Sequence, residues 1–289
     1  MVDSYRERLS VGKACYLFSI SRSVYYYTPQ LKDDTEIITE LTKIADNVYK
    51  RHWGFWMMYH SLRGQGFIWN HKRLYRVYCE LGLNKKRRKY KRRLPDRFKE
   101  ALIQPLFENI TWSMDFMHDT LRCGRKIRTF NVIDDFNREA LNITIATSIN
   151  SERVTEQLEQ LIEWRGKPER LRVDNGPEFI ALKMQVWCDK HGIELHFIEK
   201  ASPYQNGYIE RFNRTYREEV LDAYLFESIE QLKLFTQNWM WIYNNERPHS
   251  SIQKLPPVKF AMKYRKKSSF PTLQKHNNHK QILFLSIAN

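Results

Sequence analysis

The spacing of apolar residues changes near residue 110, and the change divides the chain in two. Before it, apolar residues recur every three or four positions, as along one face of a helix. Residues 10–18 and 22–27 read as short helices around Ser19–Ile20–Ser21, a helix-turn-helix-like spacing with Ser21 as an N-cap. Ile37, Leu41, Ile44 and Val48 mark a helix after Pro29. Met58 and Leu62, then Leu74, Val77 and Leu81, mark two more, separated at Gly64–Gln65–Gly66, with Asn70 capping the second. Lys72, Arg73 and Arg76 lie in the first turns of that last helix, where a recognition helix meets DNA.

From Ile110 the pattern becomes strand-like. TWSMDFMHD (111–119), IRTFNVIDDF (127–136) and ALNITIATS (140–148) are joined by short turns, which predicts an antiparallel three-strand meander. A helix follows with Ser151 as N-cap and Val154, Leu158 and Leu161 facing inward. Then come a strand at LRVDNG (171–176), a helix over 178–190, a strand at IELHFIE (193–199) and a helix from near Asn206. Residues 228–245 read as an amphipathic helix with Trp239 and Trp241 in the core. The order β-β-β-α-β-α-β-α predicts an α/β fold, a mixed sheet flanked by helices, preceded by an all-α region. We expect a helical region over 1–94, a linker over 95–108 and an α/β core over 109–225. A helical extension over 226–265 and a loose tail over 266–289 complete the division.

Charge sharpens this picture. The net charge is +15, which points to a polyanion. Residues 1–104 hold 22 Lys and Arg against 10 Asp and Glu, a net +12, so most of the excess lies in the helical third. Lys85, Lys86, Arg87, Arg88, Arg92 and Arg93 belong to KKRRKYKRR (85–93), eight basic residues in nine. A run without an apolar face reads as a tether or a phosphate clamp. No apolar run of about 18 residues predicts a membrane span. The N-terminus has no apolar signal core, so a cytoplasmic protein is expected. The four cysteines form no Cys-x-x-Cys pair, and His52, His60, His71 and Cys79 match no common zinc spacing.

Three carboxylates carry the candidate chemistry. Taken singly, each has an ordinary reading: Asp115 on a solvent-facing edge strand, Asp174 in Asp-Asn-Gly turn chemistry, Glu210 in an i,i+4 ion pair with Arg214. Together they fall on a first strand, a later strand end and a following helix, with 35 residues between Asp174 and Glu210. This arrangement resembles the ribonuclease-H-like catalytic domain of retroviral integrases and Asp-Asp-Glu transposases. WSMDF (112–116), NVIDDF (131–136), LRVDNGPEF (171–179) and QNGYIERFNRTYREE (205–219) resemble the insertion-sequence family three transposases, as downstream-frame products. So do WGF (53–55), NHKRLYR (70–76), YNNERPHSS (243–251) and the Pro-Pro at 256–257. The likeness spans roughly residues 10–264.

The resemblance implies cleavage and joining of DNA at the ends of an insertion sequence. It implies that Asp115, Asp174 and Glu210 hold Mg²⁺ or Mn²⁺, two ions, with Asp115 bridging both. Asn175, Asn213, Arg214 and Arg217 are then expected to contact DNA, with lesser parts for His118, Asp134 and Asp135. Partners would be the element's terminal repeats, target DNA, further copies of the chain and an upstream-frame product or fusion. The alternative is a DNA-binding regulator derived from such a transposase and inactive without that upstream partner.

Overall fold

The computed structural model describes residues 9–28, 33–84, 102–199 and 203–265. The basic run at 85–93, with Lys85, Lys86, Arg87, Arg88, Arg92 and Arg93, and the tail from 266 lie outside the described residues.

Five strands form one sheet: β1 Thr111–Thr120, β2 Lys126–Asp134, β3 Ala140–Ala146, β4 Arg170–Val173 and β5 Glu194–Phe197, in the order β3-β2-β1-β4-β5. β1 to β3 are the predicted antiparallel meander, while β4 and β5 join in parallel. β1 is therefore central, and the edge-strand reading of Asp115 fails. Alternation sends Trp112 and Met114 into a core beneath α6 (Ser151–Arg165), α7 (Pro177–Ile180) and α8 (Leu182–His191). Met117, on the other face, joins a core beneath α9 (Gly207–Tyr216) and α10 (Ile229–Asn245). Asp115 shares the parity of Met117, so the sheet's pleat aims it at α9.

The helices follow the apolar spacing with local corrections. Asn150, not Ser151, caps α6, its side chain accepting from Arg153 N–H at 3.0 Å. The single helix expected over 178–190 is two, because Ala181 is extended (φ −53°, ψ 136°) between α7 and α8. α9 buries Ile209, Phe212 and Tyr216 and continues into a π-helical turn, Arg217–Leu221. Trp239 is 1% exposed, as expected of a core residue, but Trp241 is 58% exposed and faces solvent.

Ahead of the sheet lie α1 (Val11–Leu17), α2 (Arg22–Tyr25), α3 (Thr35–Asp46), α4 (Phe55–Gly64) and α5 (His71–Glu80). Ser21 and Asn70 act as the expected caps, accepting from Val24 N–H (3.2 Å) and Lys72 N–H (2.8 Å). Ile37, Leu41, Met58, Leu62, Leu74 and Val77 form the core of α3–α5, and Ile242 of α10 inserts into that same core. Tyr224 Oη donates to Val48 O at 2.5 Å, and Lys50 pairs with Glu246 across the seam. The last helix, α11, spans Pro257–Arg265. Among the described residues, no helix is long and apolar enough to cross a membrane.

Candidate active site

Asp115 sits in the middle of β1, opposite Asn131 of β2. Its Oδ1 accepts the N–H of Phe116 and its Oδ2 the side-chain amide of Asn213, each at 2.8 Å. Asn213 in turn accepts from Asn131 Nδ2 at 2.7 Å. This Asn131–Asn213–Asp115 relay fixes the carboxylate against the first turns of α9. Burial pushes the Asp115 carboxyl up to about 6; its two hydrogen bonds oppose that, and the charges of Asp174 and Glu210 add to it. Two carboxylates from distant parts of the chain therefore act on a third held in the sheet.

Asp174 follows the last residue of β4, and β4 lies beside β1. Its Oδ1 accepts Gly176 N–H at 3.0 Å. A Cβ on Gly176 would stand 2.9 Å from that oxygen, close enough to force the Asp174 carboxylate to shift. Asn175 spans to β5 instead, donating to Ile198 O at 2.9 Å. The Asp-Asn-Gly sequence thus shapes the Asp174 loop, and its Asn is already engaged within the protein. Glu178 continues this anchoring: Arg128 pairs with it at 2.6 Å and lies over the Phe116 ring at 4.5 Å.

Glu210 projects into solvent from the first turn of α9. The ion pair with Arg214 does not form among the described residues. Arg214 is exposed on the same helix. Arg217 ties α9 to the end of β1, donating to His118 O at 2.8 Å and pairing with Asp119 at 3.5 Å.

The structure separates the remaining candidates. Asn213, expected on DNA, is buried and uses both ends of its amide within the protein. Arg73 and Arg76 pair with Asp34 at 2.7 and 2.6 Å, which fastens α5 to the start of α3. Arg73 is thereby committed inside the helical unit, Arg76 keeps half its surface in solvent, and Lys72 is exposed. Asp134, at the end of β2, is opposite Trp112, three positions along the ladder from the Asp115–Asn131 pair, and Asp135 follows it. Asp134 accepts the N–H groups of Asn109 and Phe136, both at 2.9 Å, and Asp135 takes Ser113 Oγ and Arg172, both at 2.7 Å. Both hold the fold, and burial raises them to about 7 and about 6.

Sequence reasoning missed Asn131 and Arg128. Asn131 stands in an otherwise apolar strand stretch, Phe130 to Ile133, and a fully buried amide opposite Asp115 was the available signal. Nothing local marked Arg128, whose partners come from β1 and α7.

The donor set suits a hard divalent cation, because a cation bound there would offset the repulsion that Asp174 and Glu210 exert on Asp115. Among the described residues no three His, Cys, Asp or Glu side chains already enclose an ion position. Asp115 and Asp174 are fastened by hydrogen bonds, and Glu210 is the member left to swing.

Residues 107–203 and 191–257 each match a model described as integrase core domain, and residues 32–92 match one described as HTH-like domain. The uncharacterized 39.2 kDa protein of insertion element IS476 from Xanthomonas euvesicatoria is 38% identical over 259 residues, 89% of this chain and 74% of that protein. The uncharacterized 31.7 kDa protein of insertion element IS407 from Burkholderia multivorans is 33% identical over 273 residues, 93% of this chain and 98% of that protein. Among solved structures, the HTLV-2 integrase catalytic core domain in complex with magnesium aligns with a TM-score of 0.45 at 20% identity, covering 54% of this chain and 98% of that one.

Proposed function

This chain belongs to the insertion-sequence family three transposases, and from that premise we propose that it cuts and joins DNA at the ends of its own element with Asp115, Asp174 and Glu210. The observation that carries the reading is the half-buried Asp115 on the central strand, its charge opposed by Asp174 and Glu210. The three carboxylates would hold Mg²⁺ or Mn²⁺, two ions. Bound there, such ions supply Lewis acidity at the attacking and leaving oxygens of a phosphodiester.

The chain's own residues divide the remaining work. Asn213 and the Phe116 N–H hold Asp115 in one orientation, and Gly176 N–H does the same for Asp174. Glu210, exposed on α9, completes the site from that helix. Arg214, exposed one turn further along α9, would take a phosphate. Lys72, with the solvent-facing part of Arg76, offers a hold on duplex from α5. The basic run at 85–93 adds phosphate neutralisation that does not depend on sequence. Cutting and joining both ends of an element calls for more than one copy on the DNA, and an upstream-frame product would add to this assembly.

The test is Glu210→Gln, assayed for strand cleavage and joining on end-containing duplex with Mg²⁺, beside a gel shift. The change keeps volume and removes the charge. Binding should persist while cleavage falls at least ~10³-fold, the equivalent of several kcal/mol of lost transition-state stabilisation. Near-normal cleavage would overturn the assignment.

A further inference from the structure

α9 turns a second flank toward a cleft that the proposed chemistry leaves unused. Successive helical residues are 100° apart, so Asn213 faces β1 while Arg211 and Thr215 point away, with Arg214 between. On that side α9, the end of α10, the turn at 247–254 and the start of α4 enclose about 580 Å³. That is within the range of roughly 300–1,000 Å³ typical of small-molecule sites.

The cleft has two chemically different walls. One is aromatic: Trp56, 57% exposed, stacks on His60 at 6.0 Å and 22° between ring planes. The other is cationic, lined by Arg211, Arg247 and Lys254. Arg247 is neutralised by Glu219 at 2.8 Å. Arg211 and Lys254 are exposed and form no ion pair among the described residues. Burial, then the Lys254 charge, hold His60 below its ordinary pKa, so the stacked pair is uncharged at neutral pH.

Planar faces beside unpaired cations match a nucleotide whose base is not paired. In a duplex the base faces are hidden in the stack and only phosphates would be met, which leaves an exposed Trp–His platform without use. In a single strand every base offers a face, and stacking on an aromatic residue is tolerant of sequence. We propose that the cleft between α4, α9 and the 247–254 turn binds single-stranded DNA, with a base on Trp56 and His60 and phosphates on Arg211 and Lys254. This rests on the reading of the chain as a DNA-processing enzyme and gives a separated strand a place on the helix that also carries Glu210.

Fluorescence anisotropy of the full chain tests it, with a labelled single-stranded oligonucleotide and the matching duplex in buffer free of divalent cations. Trp56→Ala should weaken single-strand binding about tenfold and change duplex binding less than about twofold. Arg211→Gln with Lys254→Gln should lower the salt dependence of single-strand binding by about 0.7 log units for each phosphate no longer neutralised. Unchanged single-strand affinity, or equal weakening on both substrates, would overturn the proposal. A second pair guards against misfolding: Trp56→Phe should keep most of the single-strand affinity that Trp56→Leu loses. A Phe variant no better than Leu also overturns it. Because binding is read without divalent ions, failure here leaves the carboxylate assignment standing, and failure of Glu210→Gln leaves the cleft standing.

Discussion

Replacing Asn213 with Leu removes the middle of the relay while keeping the side chain's approximate bulk. Two losses follow. Asn131, fully buried, loses the acceptor of its Nδ2 at 2.7 Å, and its Oδ1 already has no partner among the described residues. A stranded buried amide costs about 1–3 kcal/mol. Asp115 loses the 2.8 Å donor to its Oδ2, a bond to a charged group worth about 1.5–3 kcal/mol. Asp115 already stands at about 6, so part of the second loss is relieved when it takes up a proton. The sum should be about 2–4 kcal/mol, read from urea unfolding at neutral pH. The decisive comparison adds Asn131→Leu. With both amides gone no donor is stranded, so the double variant should be more stable than the two single losses predict, by at least about 1 kcal/mol. Cleavage by Asn213→Leu should fall while duplex affinity persists, because Asp115 is no longer held. Additive single losses within about 0.5 kcal/mol would refute the relay.

Three further outcomes follow from the same structure. Gln at Arg87, Arg88, Arg92 and Arg93 should weaken all duplexes alike and flatten the salt dependence by about 0.9 log units for each phosphate the run ceases to neutralise; an unchanged slope in a salt titration would assign the run to a tether. Arg73→Ala should reduce the thermal stability of the chain and weaken repeat and random duplexes equally, since Arg73 is committed to Asp34; a selective weakening on repeat DNA would restore it as a base reader. Burial raises Asp134 to about 7, so the folded chain keeps a proton that the unfolded chain releases above about pH 4. Its contribution to stability is present at low pH and lost as pH rises through about 7, and Asp134→Asn should flatten the melting temperature between about pH 6 and 7; an undiminished slope would exclude Asp134 as its source.

The sheet was legible because its signals are local. Alternation in β1 to β3 and the short turns between them give both strands and pairing, and the 3.6-residue period gives α3, α5 and α9. Other features depend on what packs nearby. Ala181 interrupts a helical stretch with no glycine or proline at the break, so the pause between α7 and α8 has no local mark. Trp241 has the residue type of a core position but lies on the solvent side of α10. The three carboxylates proposed for the site stand out in the sequence only together, through order and spacing, where each alone is ordinary. The roles of the neighbouring polar residues were not. Asn213, Asn175 and Arg73 are residue types that bind DNA, and only their partners across the fold reveal that they hold the protein itself.

Ile242 belongs to a helix of the catalytic half and to the core of the helical half, and Tyr224, Lys50 and Glu246 close the seam around it. If the chain acts on DNA as proposed, this packing makes it a caliper. One jaw is α5 and the other is the carboxylate end of the sheet, and the hinge between them is packed shut. On the proposed function, the distance between a duplex held by α5 and the bond to be cut would be a property of folding, independent of the length of the segment joining the halves. Lengthening the stretch around residues 94–101 should leave the position of cutting unchanged, whereas Ile242→Ala, which slackens the hinge, should scatter it over neighbouring phosphates.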